Sequence, residues 1–309
     1  MRALTRRNGV VESIDHLDAV AIDAAGNELA LWGDPDHVLF YRSAIKPVQA
    51  TIVQEFGADL VPEQLALATA SHSGFPIHLS IVETMLHDVG LDRSALRTTA
   101  GWPIETRARD LLVAAGHRLP HPLFHNCSGK HAAFLRACVA QGWPIETHLD
   151  QSHPLQVAIG DRIAEVGGVE GRPAGVDGCG APAYRGSLRA LARVFSRVSS
   201  DPAFAPVASV MSRFASLVSG PGRPDGQLGR WWAAPIKVGA QGILGAGRHG
   251  VGLAVKSHSG SAQIAAMGMM EMMQTLGLLS PASADALADV ASPAVLGAGR
   301  VQGHIEIES

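Results

Sequence analysis

The sequence predicts an α+β fold: one domain over residues 1–309, with a central, mainly antiparallel sheet that joins both chain ends and helices packed around it. Three observations lead there. Val10 to Trp32 alternates strand-like residues around the turn Asp23-Ala24-Ala25-Gly26-Asn27, which reads as a hairpin. Strand-like segments return late, at Ala234 to Gly245, Val251 to Lys256 and Val301 to Ile307. Between these ends the apolar residues recur with helical period.

Taken in order, the expected helices are Val48 to Phe56, Glu63 to Ala70, Ile77 to Val89 and Glu105 to Ala115. Ser128 or Gly129 opens another that ends near Gly142, and Pro154 to Val166, Tyr184 to Val198 and Pro206 to Val218 follow. Gly-Trp-Pro-Ile-Glu-Thr occurs at Gly101 and again at Gly142 with unrelated flanks, so a repeat architecture is not implied. Met267, Met269, Met270, Met272 and Met273 crowd one helical stretch and read as plastic core or interface packing rather than a ligand site.

Composition narrows the function classes. The chain is 47% hydrophobic and 17% charged with a net charge of −3, and no block of like charges runs along it. Nucleic acid and anionic membrane are therefore not expected partners. No apolar run approaches the roughly 18 residues of a membrane span. Arg2, Arg6 and Arg7 have no apolar stretch behind them, which argues against a secretory signal. Three cysteines, Cys127, Cys138 and Cys179, make an odd and sparse set for a disulfide framework. Free thiols or metal ligands in a reducing, cytoplasmic compartment fit better.

Two constellations carry chemistry. Arg42-Ser43-Ala44-Ile45-Lys46-Pro47 follows a strand-like segment and precedes a helix. A serine three residues before a lysine can hand it a proton, provided the lysine is neutral. Pro47 disfavours α conformation at Lys46, but a single 3₁₀ turn brings i and i+3 side chains into line. The same spacing also fits a capping serine beside a solvated lysine. A free lysine titrates near about 10.4, so burial or a neighbouring cation is needed to make it a base. Lys256, in a late strand, is the candidate cation. Ser71, in Ala70-Ser71-His72-Ser73, is either a proton relay or a polar helix stop.

The second constellation is Asn126-Cys127-Ser128-Gly129-Lys130-His131, with Asn126 or Ser128 as a cap and Cys127 at the positive end of a helix. Asp177-Gly178-Cys179-Gly180 adds a thiol in a glycine turn. Two thiolates and one nitrogen donor suit zinc and leave a fourth position open, although two unrelated buried thiols fit the spacing too. Cys138, about 16 Å of helix from Cys127, is placed as a small buried hydrophobe.

Together, Arg-Ser-Ala-Ile-Lys-Pro at Arg42, Ala-Ser-His-Ser at Ala70, Asn-Cys-Ser-Gly-Lys-His at Asn126, His-Pro-Leu-Gln at His153 and Asp-Gly-Cys-Gly at Asp177 resemble the metal-dependent L-asparaginase family of the rhizobial type, from about Val10 to the C-terminus. The resemblance implies a serine β-lactamase-like or penicillin-binding-protein-like fold, a homodimer, and hydrolysis of L-asparagine. It implies Ser43 as nucleophile with Lys46 as partner, and Ser71 with Lys256 as a second pair. It further implies zinc on Cys127, Lys130 and Cys179, and Arg42, His131 and Asp177 around the substrate's charged ends. Two departures stand out: Ser257-His258-Ser259 follows the late lysine, and Gln241 stands in Gly239-Ala240-Gln241-Gly242, where relatives carry acidic residues. The rival readings are a β-lactam or D-aminoacyl peptide hydrolase of the Ser-x-x-Lys type and a non-catalytic amino-acid-binding protein.

Overall fold

A computed structural model gives the fold and describes residues 1–220 and 222–309. It is a mixed α/β structure whose main sheet is antiparallel. The chain divides into two compact units, one of Met1–Ala44, Gly186–Pro202 and Gly222–Ser309, the other of Ile45–Arg185 and Ala203–Pro221.

The first unit is built on an eight-stranded sheet. Its order is Ala294–Gly297, Arg300–Glu308, Arg2–Arg7, Val10–Ile22, Val251–Ser257, Ile243–Arg248 and Ile236–Gly239, with Glu28–Trp32 paired to Val10–Ile22 off that path. Both chain ends lie in it, since Arg2 stands opposite Glu308. The 13-residue strand Val10–Ile22 serves two neighbourhoods. Its first half pairs with Arg2–Arg7 and is exposed; its second half, paired with Val251–Ser257, is buried. The expected hairpin is thus correct, with Glu28–Trp32 as its return strand. The single strand expected over Ala234 to Gly245 is two, because Gln241 and Gly242 take positive φ and reverse the chain.

Side-chain alternation splits this sheet's faces. Leu17, Ala19, Ala21, Leu244, Ala246, Leu253 and Val255 face the helix Ala262–Thr275, whose five clustered methionines are all buried in the same core. On the other face stand Gly245, Gly247 and Gly252. A Cβ at Gly252 would overlap the carbonyl of Ala192, and one at Gly245 the ring of Phe195. Glycine is required there because the helix Leu188–Val198 lies directly on the strands. The helical period expected from Tyr184 begins only at Leu188, after the short strand Arg185–Ser187.

The second unit is mostly helical. Its centre is Ser128–Gln141, packed by Lys46–Glu55, Pro62–Thr69 and Pro76–His87. Gly129 permits the closest of these approaches, since a Cβ there would stand 2.6 Å from the carbonyl oxygen of Leu67. Gly142, at φ 65, ends the central helix as expected. His153-Pro154-Leu155-Gln156 opens the helix Pro154–Gly167: His153 Nδ1 accepts from the Leu155 N–H at 3.2 Å, and Pro154 occupies the first turn. The helix expected over Pro206 to Val218 breaks at Phe214 into Ala205–Arg213 and Ala215–Val218. Among the described residues, no helix is long and apolar enough to cross a membrane.

Candidate functional site

Arg42 has a positive φ of 50°, uncommon for a residue with a side chain, and opens the 3₁₀ helix Arg42–Ile45. The α-helix Lys46–Glu55 follows at once, so Pro47 falls in its first turn, where no N–H partner is lost. Ser43 is half-buried on this turn. It belongs to the first unit and Lys46 to the second, because the division falls between Ala44 and Ile45.

Lys46 is only 1% exposed. Its ammonium donates to the carbonyl of Ala70, to Ser71 Oγ at 3.2 Å and to Cys127 Sγ at 3.3 Å. Burial pulls its pKa below the usual lysine value; the Cys127 thiol pushes back, and the nearby Lys130 adds to the lowering. Ser71, itself buried, lies just past the helix Pro62–Thr69, where the extended backbone of Ala70 turns the chain out of the helix. Its N–H donates to Val218 O at 2.9 Å. It is therefore both a polar helix exit and a lysine partner.

Cys127 is the residue that begins the central helix, and neither Asn126 nor Ser128 caps it. Ser128 Oγ instead meets His72 Nε2 at 2.9 Å, and the Cys127 N–H donates to His125 Nδ1 at 3.1 Å. Cys179 rides in the tight turn between Gly175–Val176 and Pro182–Ala183, with Gly180 at φ 88. Lys130 Nζ donates to Cys179 Sγ at 3.2 Å. The pKa values of the two thiols are pushed apart: the bond to Cys179 and burial raise the Cys127 pKa, while that same bond lowers Cys179 against its own burial. Burial alone would lower Lys130, but its interactions with the two thiols, Cys179 first, outweigh it and raise the pKa. His131, fully buried beside Cys179, is held down to about 4 by burial. Asp177 precedes the turn, its Oδ1 accepting from the Gly178 N–H at 2.6 Å.

Cys127, Lys130 and Cys179 thus converge. Two thiols and an amine form a donor set that zinc accepts, and the 3.2 Å from Lys130 to Cys179 is close to the roughly 3.6 Å separation of nitrogen and sulfur on one tetrahedral zinc. Loading would displace protons from a thiol and from the ammonium. The residues fit the metal. Cys138 is buried in the same helix, with its thiol raised to about 11 by burial alone, and takes no part.

In the first unit, Lys256 sits on Val251–Ser257 in register with Asp18. Its ammonium donates to Gln241 O at 2.7 Å and to Ser257 O, so the Gln241 departure serves the lysine through its backbone. Burial lowers the Lys256 pKa, and Asp15 and Asp18 oppose that. The Ser257-His258-Ser259 departure hooks onto the hairpin strand. Ser257 Oγ donates to Asp15 Oδ2 at 2.9 Å, Ser259 Oγ bonds the same carboxylate, and His258 Nε2 meets Asp18 Oδ2 at 2.9 Å. His37 completes a group with Asp18 and His258 whose metal-ligating atoms all lie within 4.8 Å of one another. Sequence reasoning missed this group. Its single visible signal was the histidine in the departure after the late lysine.

The model of the L-asparaginase II family matches residues 3–307, so the chain defines itself as a member of a family of amide hydrolases. This chain belongs to the L-asparaginase II family. No curated protein matches it significantly. Among solved structures, one described as Mglu in its tris and glutamate form is similar at 15% identity with a TM-score of 0.37. That match covers 89% of this chain and 63% of the other, so the chain spans less than two thirds of that protein's length.

Proposed function

We propose that the chain hydrolyses L-asparagine to L-aspartate and ammonia, with Ser43 as nucleophile and Lys46 as its base. The observation that carries the reading is the burial of Lys46, which favours the neutral amine that a base requires. Ser43 Oγ attacks the side-chain amide carbon while Lys46 Nζ takes the hydroxyl proton. That proton passes to the leaving nitrogen, ammonia departs, and an aspartyl ester remains on Ser43. Water, deprotonated by the same amine, cleaves the ester, and the proton returns to Ser43 Oγ. Ser71 and Lys256 act as the second serine–lysine pair, and Arg42, His131 and Asp177 receive the substrate's charged ends. Cys127, Lys130 and Cys179 would hold zinc, which would supply an open, Lewis-acidic coordination position for orienting the substrate.

The same reading makes residues 1–309 one catalytic domain of the serine β-lactamase-like type. It is a cytoplasmic homodimer whose partner is L-asparagine rather than nucleic acid or membrane. The net charge of −3 supports the last point. Exposed Val10, Ile14, Leu296 and Val301 on the terminal strands offer apolar surface for the dimer.

Ammonia release by the purified chain from a panel of free amides tests the activity. L-Asparagine should be strongly preferred over L-glutamine, because one more methylene moves the carbonyl while the charged ends stay fixed. Cephalosporin cleavage without ammonia from asparagine would overturn the reading in favour of a β-lactam hydrolase. A second assignment rests on the 3.2 Å from Lys46 to Ser71 Oγ, which makes Ser71 the nucleophile. Near-normal turnover in Ser43→Ala would select it.

A further inference from the structure

Asp18 is 5% exposed, the one acid buried at this end of the hairpin strand. The tight turn at Gly33 wraps it: φ there is +73, and a Cβ would overlap Asp18 Oδ1. That oxygen is engaged by the N–H of Asp34 at 3.1 Å, so the carboxylate cannot swing. Its other oxygen, Oδ2, points at two imidazoles. His258 Nε2 lies 2.9 Å away and His37 Nδ1 3.6 Å away. The second distance is too long for a hydrogen bond, so His37 meets the carboxylate as an ion-pair partner rather than as a hydrogen-bond donor. The two rings stand edge to face with centroids 6.2 Å apart, and both side chains are about half exposed.

The three donors come from separate segments. Asp18 lies on Val10–Ile22, His37 on the loop after Glu28–Trp32, and His258 just beyond Val251–Ser257, where its N–H is fixed on His16 O at 2.9 Å. A carboxylate oriented from behind by a backbone N–H, with two imidazoles on its free side and solvent beyond, is the donor set of a two-histidine, one-carboxylate metal site. Oxygen and nitrogen ligands on one zinc-sized ion stand roughly 3.3 Å apart, between the 2.9 and 3.6 Å found here.

We propose that Asp18, His37 and His258 form a second metal site, which takes a divalent transition ion of the zinc type through Asp18 Oδ2, His258 Nε2 and His37 Nδ1. The ion clips the hairpin strand, the loop after its return strand and the end of the late strand together, and water completes its coordination. The site is separate from the thiol cluster and does not depend on the asparaginase reading, since its test reads no turnover.

The test is titration of the full, metal-stripped chain with Co²⁺, followed by visible absorption and thermal denaturation. Thiolate ligation gives a sulfur-to-cobalt charge-transfer band; the proposed site gives ligand-field absorption without one. The expected result is one Co²⁺ per chain that adds no thiolate band and raises the melting temperature. His37→Ala and His258→Ala should each weaken that ion roughly 100-fold or more and leave any thiolate band as it was. His87→Ala, an exposed histidine elsewhere, should retain it. Both test variants replace half-exposed side chains, and circular dichroism verifies their fold. Absence of a thiolate-free Co²⁺ in the parent chain would overturn the proposal. So would uptake unchanged in both variants, or lost equally in His87→Ala.

Discussion

The thiol cluster of the helical unit and the histidine cluster of the sheet unit are both donor sets for a metal, yet their physics differ. Cys127, Lys130 and Cys179 are at most 5% exposed, and Lys46 and Lys130 donate to the thiols. His37 and His258 are about half exposed, and only Asp18 is buried. In the first region, removing Lys130 strands the buried Cys179 without its cation at low dielectric. In the second, either histidine can be removed while water takes its place. Burial therefore makes one cluster an interlocked part of the fold and leaves the other a detachable surface device.

The largest effect should separate the regions by chemistry. Ser43→Ala, and Lys46→Met beside the thiol cluster, should lower asparagine turnover by about 10³-fold or more, whereas His258→Ala stays within roughly threefold of the parent. Steady-state ammonia release measures all three. Equal losses would erase the functional side of the comparison.

Stability should separate them next. Lys130→Met leaves the buried Cys179 without its cation and should cost about 3–5 kcal/mol, against less than about 1 kcal/mol for His37→Ala. Urea denaturation of metal-free protein checks both, and similar costs would break the contrast between interlocked and detachable.

Acid should act on the helical unit through its buried histidines. His78 and His148 are each lowered from 6.5 to about 4, with burial as the largest cause. Between those values the unfolded chain binds more protons than the folded one, so stability rises with pH across that window. Their contribution is complete above about 6.5 and is lost as pH falls towards 4, on the order of 3 kcal/mol for each. His78→Gln should flatten this limb in denaturation midpoints measured across the window.

The smallest effect sharpens the boundary of the thiol cluster. Cys138→Ser should leave zinc content unchanged and cost about 1–2 kcal/mol for a hydroxyl placed in an apolar site. Cys179→Ser should remove most of the zinc. Elemental analysis of the purified variants decides it.

Much of this was legible in the residue order. The hairpin, the helices at Lys46, Pro62, Pro76, Ser128 and Pro154, and the late strands all follow from local periodicity, proline entries and glycine exits. So does the 3₁₀ turn at Ser43, because Pro47 leaves that turn as the natural way to bring a lysine behind a serine. The helix Pro224–Trp232, the strand Arg2–Arg7 and the edge strand Ala294–Gly297 were not read, since they are short and carry no clear period.

By itself, then, the sequence determined the element types, the motif positions and the family, because these depend on neighbours within a few residues. Tertiary structure alone decided that Lys46 meets Ser71 and Cys127, that Lys130 meets Cys179, and that Val10–Ile22 pairs with Arg2–Arg7 along its first half and with Val251–Ser257 along its second. It alone brought Asp18 to His37 and His258. Such contacts join residues far apart along the chain, and which of them form depends on how whole faces pack, for which local periodicity holds no record.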